Sequence, residues 1–346
     1  AANAATDATA AAVPVVASEA LTLTTGVDNY TGGAGADTIY GTIDTTTTTN
    51  NTFAVSDVIN GAAGEDLLQI AINNSPAVTY TPALITNVEN VRVINLDAED
   101  AVAFDMSATS GITTAEIQAS IKGASFDNLD AGTKMIATAN TAATDFGFKA
   151  AGLTGEADAF DLTLNSNGNA VTIATNGAGF ESGTITALGV NGTRAYVGAG
   201  SDLKTITVKG AGSVGFNGGS LANVTLFDAS ENSGGVVFDS GAAESTITGG
   251  AGNDVLTEGS GNDVLKGNAG HDTLTGGTSN DNIDGGAGND VVVASSIDQN
   301  DTISGGEGTD VLSIGTAVAY SASNTDDGSN VTGFEVLSHT STIVQD

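Results

Sequence analysis

Residues 249–293 read GGAGNDVLT, EGSGNDVLK, GNAGHDTLT, GGTSNDNID and GGAGNDVVV, which are five nonapeptides in unbroken register. Position six is aspartate in every copy, and position eight is aliphatic. The aspartates are Asp254, Asp263, Asp272, Asp281 and Asp290, and the aliphatic residues are Leu256, Leu265, Leu274, Ile283 and Val292. Such self-similarity predicts a repeat architecture, in which each unit stacks on its neighbours to bury one continuous core.

The two halves of each nonapeptide predict a turn and a short strand. Glycine adopts backbone angles that other residues avoid, which lets carbonyl oxygens converge, and aspartate supplies the hard anionic oxygen that Ca²⁺ prefers. The three residues after the aspartate form a short strand, whose alternation sends position eight inward. Two nonapeptides complete one coil, so Asp254, Asp272 and Asp290 share one edge, and Asp263 and Asp281 share the other. The sequence therefore predicts an all-β, elongated parallel β-solenoid or β-roll with calcium-binding turns.

Further copies of the motif lie near both ends of the chain. They read GGEGTDVLS at 305–313, GGAGADTIY at 32–40 and GAAGEDLLQ at 61–69, and a degenerate partner precedes each copy. The aspartates of these copies and of their partners are Asp310, Asp37, Asp66, Asp301, Asp28 and Asp57. We therefore expect several calcium ions, bound near both ends.

The composition narrows the classes of function. The 41 acidic residues against 8 Lys and Arg give a net charge of −33, which excludes the phosphate backbone of nucleic acid as a partner and requires a cation to offset it. There is no cysteine, so neither a disulfide nor a thiolate site is available. No apolar run approaches the ~20 residues of a membrane helix. The sequence has no GxSxG or HExxH motif, and we expect no enzymatic activity.

The remainder of the chain predicts further strands around the nonapeptides. Short apolar segments recur about every ten residues between 160 and 247, and they suggest one continuous stack. The apolar positions selected by this spacing are Leu164, Ile173, Ile185, Tyr196, Ile206, Phe216, Leu226, Val237 and Ile247. TTAEIQASI, at 113–121, fits either a short helix or another strand. The predicted organisation is an alanine-rich segment (1–20), N-terminal motif turns and strands (21–99), a solenoid body without the motif (100–248), the calcium-binding roll (249–314) and a C-terminal strand or cap (315–346).

A longer internal similarity relates the two ends. DVINGAAGEDLLQI at 57–70 aligns with DTISGGEGTDVLSI at 301–314, and NVENVRV at 87–93 recurs as VTGFEVL at 331–337. The first copy, around Glu89, leads into the body, whereas the second is followed by only nine residues. Three explanations remain open: a fragment of a longer tandem protein, a rung supplied by the next subunit, or a capping hairpin.

The nonapeptides resemble the RTX (repeats-in-toxin) family, whose motif GGxGxDxUx is matched in full at 249–257 and 285–293. The resemblance implies that the aspartates bind Ca²⁺ together with main-chain carbonyls of the turns. Those carbonyls belong to Gly249, Gly250, Ala251, Gly252, Gly267, Ala269, Gly285, Ala287, Gly305 and Glu307. Glu258, Asn268 and Ser279 replace motif glycines, so their turns keep carbonyl ligands only if the backbone angles are kept.

From about residue 21 onward, the Gly- and Thr-rich pattern is also similar to RTX-type surface-layer proteins of Gram-negative bacteria. This likeness implies secretion by a type I system, an extracellular or cell-surface location, and self-association into a lattice, sheath or filament held by Ca²⁺. A cell-surface polysaccharide is a candidate partner by the same likeness. The alternatives are an adhesin, or the folding and export module of a larger secreted protein or enzyme.

Overall fold

A computed structural model describes residues 17–155, 157–175, 179–189, 194–198, 202–216, 221–241, 244–295, 297, 300–314 and 330–339. Most of the predicted alanine-rich segment and of the predicted C-terminal cap therefore lies outside the described residues. The predicted division into segments stays a prediction.

The described residues form short strands and two three-residue 3-10 turns, Met106–Ala108 and Ala150–Gly152. The strands, in chain order, are β1 (Ala20–Thr22), β2 (Asn29–Thr31), β3 (Thr38–Asp44), β4 (Val58–Asn60), β5 (Leu67–Asn74), β6 (Thr79–Tyr80), β7 (Leu84–Thr86), β8 (Asn90–Asn95), β9 (Val102–Asp105), β10 (Thr109–Ser110), β11 (Thr114–Gln118), β12 (Ala124–Leu129), β13 (Lys134–Thr138), β14 (Thr144–Phe148), β15 (Ala159–Asn165), β16 (Val171–Thr175), β17 (Ser182–Leu188), β18 (Arg194–Gly198), β19 (Thr205–Gly210), β20 (Val214–Phe216), β21 (Leu226–Asn232), β22 (Val236–Asp239), β23 (Thr246–Thr248), β24 (Val255–Thr257), β25 (Val264–Ala269), β26 (Thr273–Gly276), β27 (Asn282–Ala287), β28 (Val291–Ala294), β29 (Thr302–Ser304), β30 (Val311–Ile314), β31 (Val331–Thr332) and β32 (Val336–His339).

These strands stack as a parallel solenoid. A 15-stranded sheet runs β1-β3-β5-β8-β11-β13-β15-β17-β19-β21-β23-β25-β27-β29-β31, and a 13-stranded sheet runs β6-β9-β12-β14-β16-β18-β20-β22-β24-β26-β28-β30-β32. A four-stranded sheet, β2-β4-β7-β10, forms another face near the N-terminal end. From β11 to β32 the chain alternates between the two large sheets, so each pair of strands is one coil. The predicted all-β, parallel solenoid is confirmed.

Position eight of each nonapeptide supplies the core of the roll. Leu256, Leu274 and Val292 pair in register along the 13-stranded sheet, and Leu265 and Ile283 pair along the 15-stranded sheet. All five side chains are at most 2% exposed. Alternation along three-residue strands is therefore sufficient to place one aliphatic residue inside each half-coil.

The body of the solenoid is filled by larger side chains. Tyr80, Phe104, Phe126 and Phe146 form a column in the 13-stranded sheet, with neighbouring ring centroids 5.6 to 6.2 Å apart. The segment TTAEIQASI contains β11, which resolves the open choice between helix and strand in favour of a strand. The aromatic column and the regular strand pairing show that apolar contacts form much of the core of the body.

Candidate metal sites

The aspartates at position six lie in the turns, immediately before the strands. One row of turns, which we call edge 1, leads from the 15-stranded sheet into the 13-stranded sheet. On it, Oδ1 of Asp272 accepts the backbone amide of Asp254, and Oδ1 of Asp290 accepts that of Asp272, both at 2.8 Å. Asp310 accepts the Asp290 amide, and Glu335 accepts the Asp310 amide, also at 2.8 Å. Edge 1 therefore carries one continuous ladder of carboxylates, in the register that the nonapeptides predict.

The other row of turns, edge 2, leads back into the 15-stranded sheet. Oδ1 of Asp281 accepts the Asp263 amide at 3.1 Å, and Oδ1 of Asp301 accepts the Asp281 amide at 2.9 Å. Each aspartate is buried, with at most 6% of its surface exposed. The second predicted group of aspartates thus forms its own ladder.

A third ladder lies near the N-terminal end, in turns that also lead into the 15-stranded sheet. Oδ1 of Asp66 accepts the Asp37 amide at 2.7 Å, and Oε2 of Glu89 accepts the Asp66 amide at 2.9 Å. Glu89 therefore ends this ladder as Glu335 ends the ladder of edge 1. The internal similarity between 87–93 and 331–337 is a structural one.

Several carboxylates in the ladders leave one oxygen without a partner. Among the described residues, the buried oxygens that lack any hydrogen bond include Oδ2 of Asp66, Asp263, Asp272, Asp290 and Asp310, and Oε2 of Glu258. A buried anionic oxygen without a donor is costly, and native proteins satisfy nearly all such atoms. These oxygens therefore fit a bound cation.

Glycine at position one leaves room for that cation. A Cβ added to Gly267 would collide with both Oδ2 of Asp272 and the carbonyl oxygen of Gly285, and one added to Gly249 would meet Oδ2 of Asp254 and the carbonyl of Gly267. A carboxylate oxygen and a carbonyl oxygen thus converge where any side chain would intrude. Ca²⁺ takes six to eight oxygen ligands of these two kinds.

The predicted carbonyl ligands differ in their surroundings. The carbonyls of Gly267, Gly285 and Gly305 face the spaces at position one of the preceding coil. The carbonyls of Ala287 and Glu307 accept the amides of Gly270 and Gly288, at 2.9 and 2.7 Å. The carbonyl of Gly250 accepts the amide of Ala269 at 3.1 Å, and that of Gly249 accepts Nδ2 of Asn268 at 2.7 Å. Ala251 and Gly252 lie in the same turn as Gly249 and Gly250, at positions three and four.

Two substituted glycine positions keep the backbone of the motif. Asn268 has φ of +72° and Ser279 has φ of +95°, where equivalent glycines such as Gly286 and Gly288 have +102° and +145°. These angles belong to the left-handed region, which asparagine tolerates better than most residues. The backbone condition for carbonyl ligands is therefore met at both positions.

Other predicted ligands have both carboxylate oxygens satisfied by the protein. Asp37 accepts the amides of Glu19 and Gly33, each at 2.8 Å. Asp254 accepts those of Val236 and Gly250, each at 2.7 Å.

The two degenerate N-terminal partners behave in the same way. Asp57 accepts the amides of Asp28 and Ala54 at 2.9 and 2.8 Å, and Asp28 accepts the amide and hydroxyl of Thr24 at 2.8 and 2.9 Å. These two aspartates close turns, and a role as calcium ligands stays a prediction for them.

Burial raises the pKa of several ladder carboxyl groups. Desolvation is the largest cause for Asp66 and Asp290, and it raises the pKa of Asp272 to about 7, with the charges of its two neighbouring aspartates adding to the effect. The pKa of Glu258 rises to about 9, first through burial and then through its contact with Asp281. Among the described residues, the only ion pairs are Arg92–Glu116 and Lys149–Asp130, away from the ladders.

Glu258 is a site residue that the sequence did not reveal, because it reads as a lost glycine. Its side chain is only 4% exposed, and Oε1 accepts the Gly277 amide at 2.6 Å. Glu258, Asp263 and Asp281 each place an oxygen within 4.8 Å of the other two. The sequence offered one signal for this role: Glu258 stands at position one of the nonapeptide whose aspartate is Asp263.

Neutral side chains continue edge 1 through the body. The Ser120 amide donates to Oδ1 of Asn140 at 2.9 Å, and the Asn140 amide donates to Oδ1 of Asn167 at 3.2 Å. Nδ2 of Asn140 in turn donates to the carbonyl of Ile117, and Nδ2 of Asn232 donates to that of Gly212, at 2.8 and 2.9 Å. The amide group thus supplies the donors that an aspartate lacks, so these coils require no cation.

The fold and the ladders define a parallel β-solenoid that contains a calcium-binding β-roll. Four copies of the RTX calcium-binding nonapeptide repeat match the chain, over residues 23–44, 238–265, 258–292 and 298–315. The chain therefore carries RTX repeats, which bind Ca²⁺ and are typical of secreted proteins. No curated protein matches it. None of the helical segments in the described part of the chain has the length or apolar character of a membrane span.

Calcium is expected to fold the roll cooperatively, since each ion joins carboxylates of successive coils. In a calcium titration followed by circular dichroism, we expect the β signal to increase with Ca²⁺ and not with Mg²⁺. Asp272→Ala combined with Asp290→Ala should raise the calcium midpoint by roughly tenfold or more. The control, Glu231→Ala with Asp239→Ala, removes two exposed carboxylates and should leave the midpoint unchanged. A fully folded roll in chelator would contradict the coupling.

The raised pKa values predict that acid stabilises the calcium-free protein. A carboxyl group whose pKa is higher in the folded state binds more protons there, so stability is greatest below the unfolded pKa of about 4 and falls as pH rises. The loss extends to about pH 7 for Asp272 and about pH 9 for Glu258. Thermal unfolding of calcium-free protein should therefore occur at a higher temperature at pH 5 than at pH 8.

The same experiment has an internal control. Asp272→Asn with Asp290→Asn should reduce this pH dependence, whereas Asp239→Asn, which changes an exposed group, should not. A melting temperature that rises from pH 5 to pH 8 in calcium-free protein would refute the argument.

The asparagine ladder is expected to tolerate no charge. Asn140→Asp replaces a donor by a buried anion and should lower the free energy of unfolding in urea by about 3 kcal/mol, with or without calcium. Asn73→Asp, an exposed change in β5, is the matched control. Equal stability of the two variants would show that the amide donors contribute little.

Proposed function

We propose that the chain is a secreted, non-catalytic structural protein that folds on binding calcium and then assembles into a surface layer or extracellular matrix. The observation that carries this proposal is the placement of buried, unpaired carboxylate oxygens near both ends of the stack, Asp66 towards one end and Asp272, Asp290 and Asp310 towards the other. The folded state of both ends is then more stable at higher calcium concentration.

Folding that is coupled to calcium binding is compatible with secretion. Without calcium, the stacked carboxylates repel one another, and the thin core of the roll does not offset the entropy lost on ordering the chain. Affinities of extracellular calcium modules are on the order of 10⁻⁴ to 10⁻³ M. Ends of this kind stay unfolded in a low-calcium cytoplasm and fold outside the cell, which supports secretion by a type I system.

The last described strand supports assembly. Leu337 of β32 pairs in register with Leu312 and so occupies the core column, yet it is 68% exposed. Within the described residues, β32 has only β30 as a sheet neighbour, whereas β8, which follows the equivalent Glu89, pairs with both β5 and β11. A strand from a second copy of the chain would cover Leu337 as β11 covers β8.

The charge of the chain makes this association dependent on calcium. A net charge of −33 opposes the approach of two copies, and bound divalent cations reduce that repulsion. An adhesin, or an export module of a larger protein, shares the calcium-dependent folding but does not require self-association. The size of the particle in solution therefore separates the proposal from its alternatives.

Multi-angle light scattering at millimolar calcium should show particles larger than one chain, and chelation should reverse the association. Leu337→Lys places a charge in the exposed end of the core column and should yield a monomer with an unchanged circular dichroism spectrum. Val255→Lys, an exposed change on a strand within the stack, is the control and should still assemble. A wild-type monomer at both calcium concentrations would refute assembly.

A further inference from the structure

Edge 2 contains a group of three carboxylates that the nonapeptide motif does not account for. Glu258, Asp263 and Asp281 bring their oxygens within 4.8 Å of one another, and no side chain of the three is more than 6% exposed. The motif has glycine at position one, so it provides an aspartate from each turn and no third carboxylate. Glu258 is therefore an addition to the motif's own ligands.

Two oxygens in this group are buried and have no partner. Glu258 uses Oε1 to accept the Gly277 amide at 2.6 Å, which leaves Oε2 unpaired. Asp263 uses Oδ1 to accept the Ser245 hydroxyl at 2.8 Å, which leaves Oδ2 unpaired. Buried anionic oxygens are satisfied by donors or by metal ions, and the described residues offer no ion pair here.

The next coil leaves room for the Glu258 side chain. A Cβ added to Gly276 would lie 3.3 Å from Oε1 of Glu258 and 2.7 Å from Cδ1 of Ile283. Glycine at 276 therefore permits the carboxylate of Glu258 to extend into the turn above it. The glutamate at 258 and the glycine at 276 are therefore complementary in size.

We propose that Glu258, Asp263 and Asp281 form a calcium site with one more carboxylate than the other turns, and that it is the first site to fill. A pair of successive aspartates, such as Asp272 and Asp290, contributes two formal negative charges, whereas this group contributes three. Affinity for Ca²⁺ increases with the number of charged ligands. The site nucleates the roll, and this inference does not depend on assembly.

Isothermal titration calorimetry of the full chain with CaCl₂ tests the proposal. One ion should bind at least roughly tenfold more tightly than the rest, and both Glu258→Gln and Glu258→Gly should lose this tight step while retaining the weaker ones. The control variant Glu244→Gln removes an exposed carboxylate outside the group of three and should keep the tight step. A tight step that is missing from the wild type, or that persists in both Glu258 variants, overturns the proposal.

Hydrogen exchange of the wild-type chain gives a second test that needs no variant. At one equivalent of calcium, amide protection should appear in 258–281 before it appears in 285–310. Protection that begins in 285–310, or in both segments together, would show that the three carboxylates do not form the first site. This measurement decides the question where a Glu258 variant fails to fold at saturating calcium.

Discussion

The hydrogen bond from each turn aspartate to the carboxylate one coil later connects the backbone of the roll to its charge. One oxygen of each carboxylate accepts the amide of the coil before, and in Asp272, Asp290 and Asp310 the other oxygen is buried without a donor. The bond that orders the turn therefore also holds an anion in the interior. Because the same group does both, removal of the cation weakens the contact between coils as well as the site.

Along edge 1, two kinds of side chain accept the backbone amide of the preceding coil: asparagine in the body and aspartate in the roll. In the body, Asn140 accepts the amide of the preceding coil and donates its own Nδ2 to a carbonyl. In the roll, aspartate accepts the equivalent amide but has nothing to donate, so a metal ion takes the place of the missing donor. The need for calcium is thus confined to particular coils, while phenylalanine packing and amide ladders maintain the coils between them.

The fold of the roll follows from the sequence because its coils between Asp254 and Asp290 have constant length. Successive aspartates are 18 residues apart at 254, 272 and 290, so the nonapeptide register predicts both edges and the inward Leu274.

The body lacks this regularity, since its ladder steps span 25, 20 and 27 residues. A search by spacing therefore selects Leu226 and Val237, which are 41% and 49% exposed, while the adjacent Phe227 and Phe238 stack inside at 3.9 Å. The sequence did not predict Glu258 as a metal ligand for a different reason: a departure from a glycine motif does not reveal where the new side chain points.

The two related segments at the ends lie in opposite phases of the coil. The strand after Asp66 belongs to the 15-stranded sheet, whereas the strand after Asp310 belongs to the 13-stranded sheet. Duplication or deletion of one nonapeptide would exchange the two edges for every residue downstream, and a change of two nonapeptides would restore them. A solenoid of this kind can therefore lengthen in steps of one half-coil. An odd number of steps moves the last strand from one large sheet to the other, whereas an even number leaves it in the same sheet.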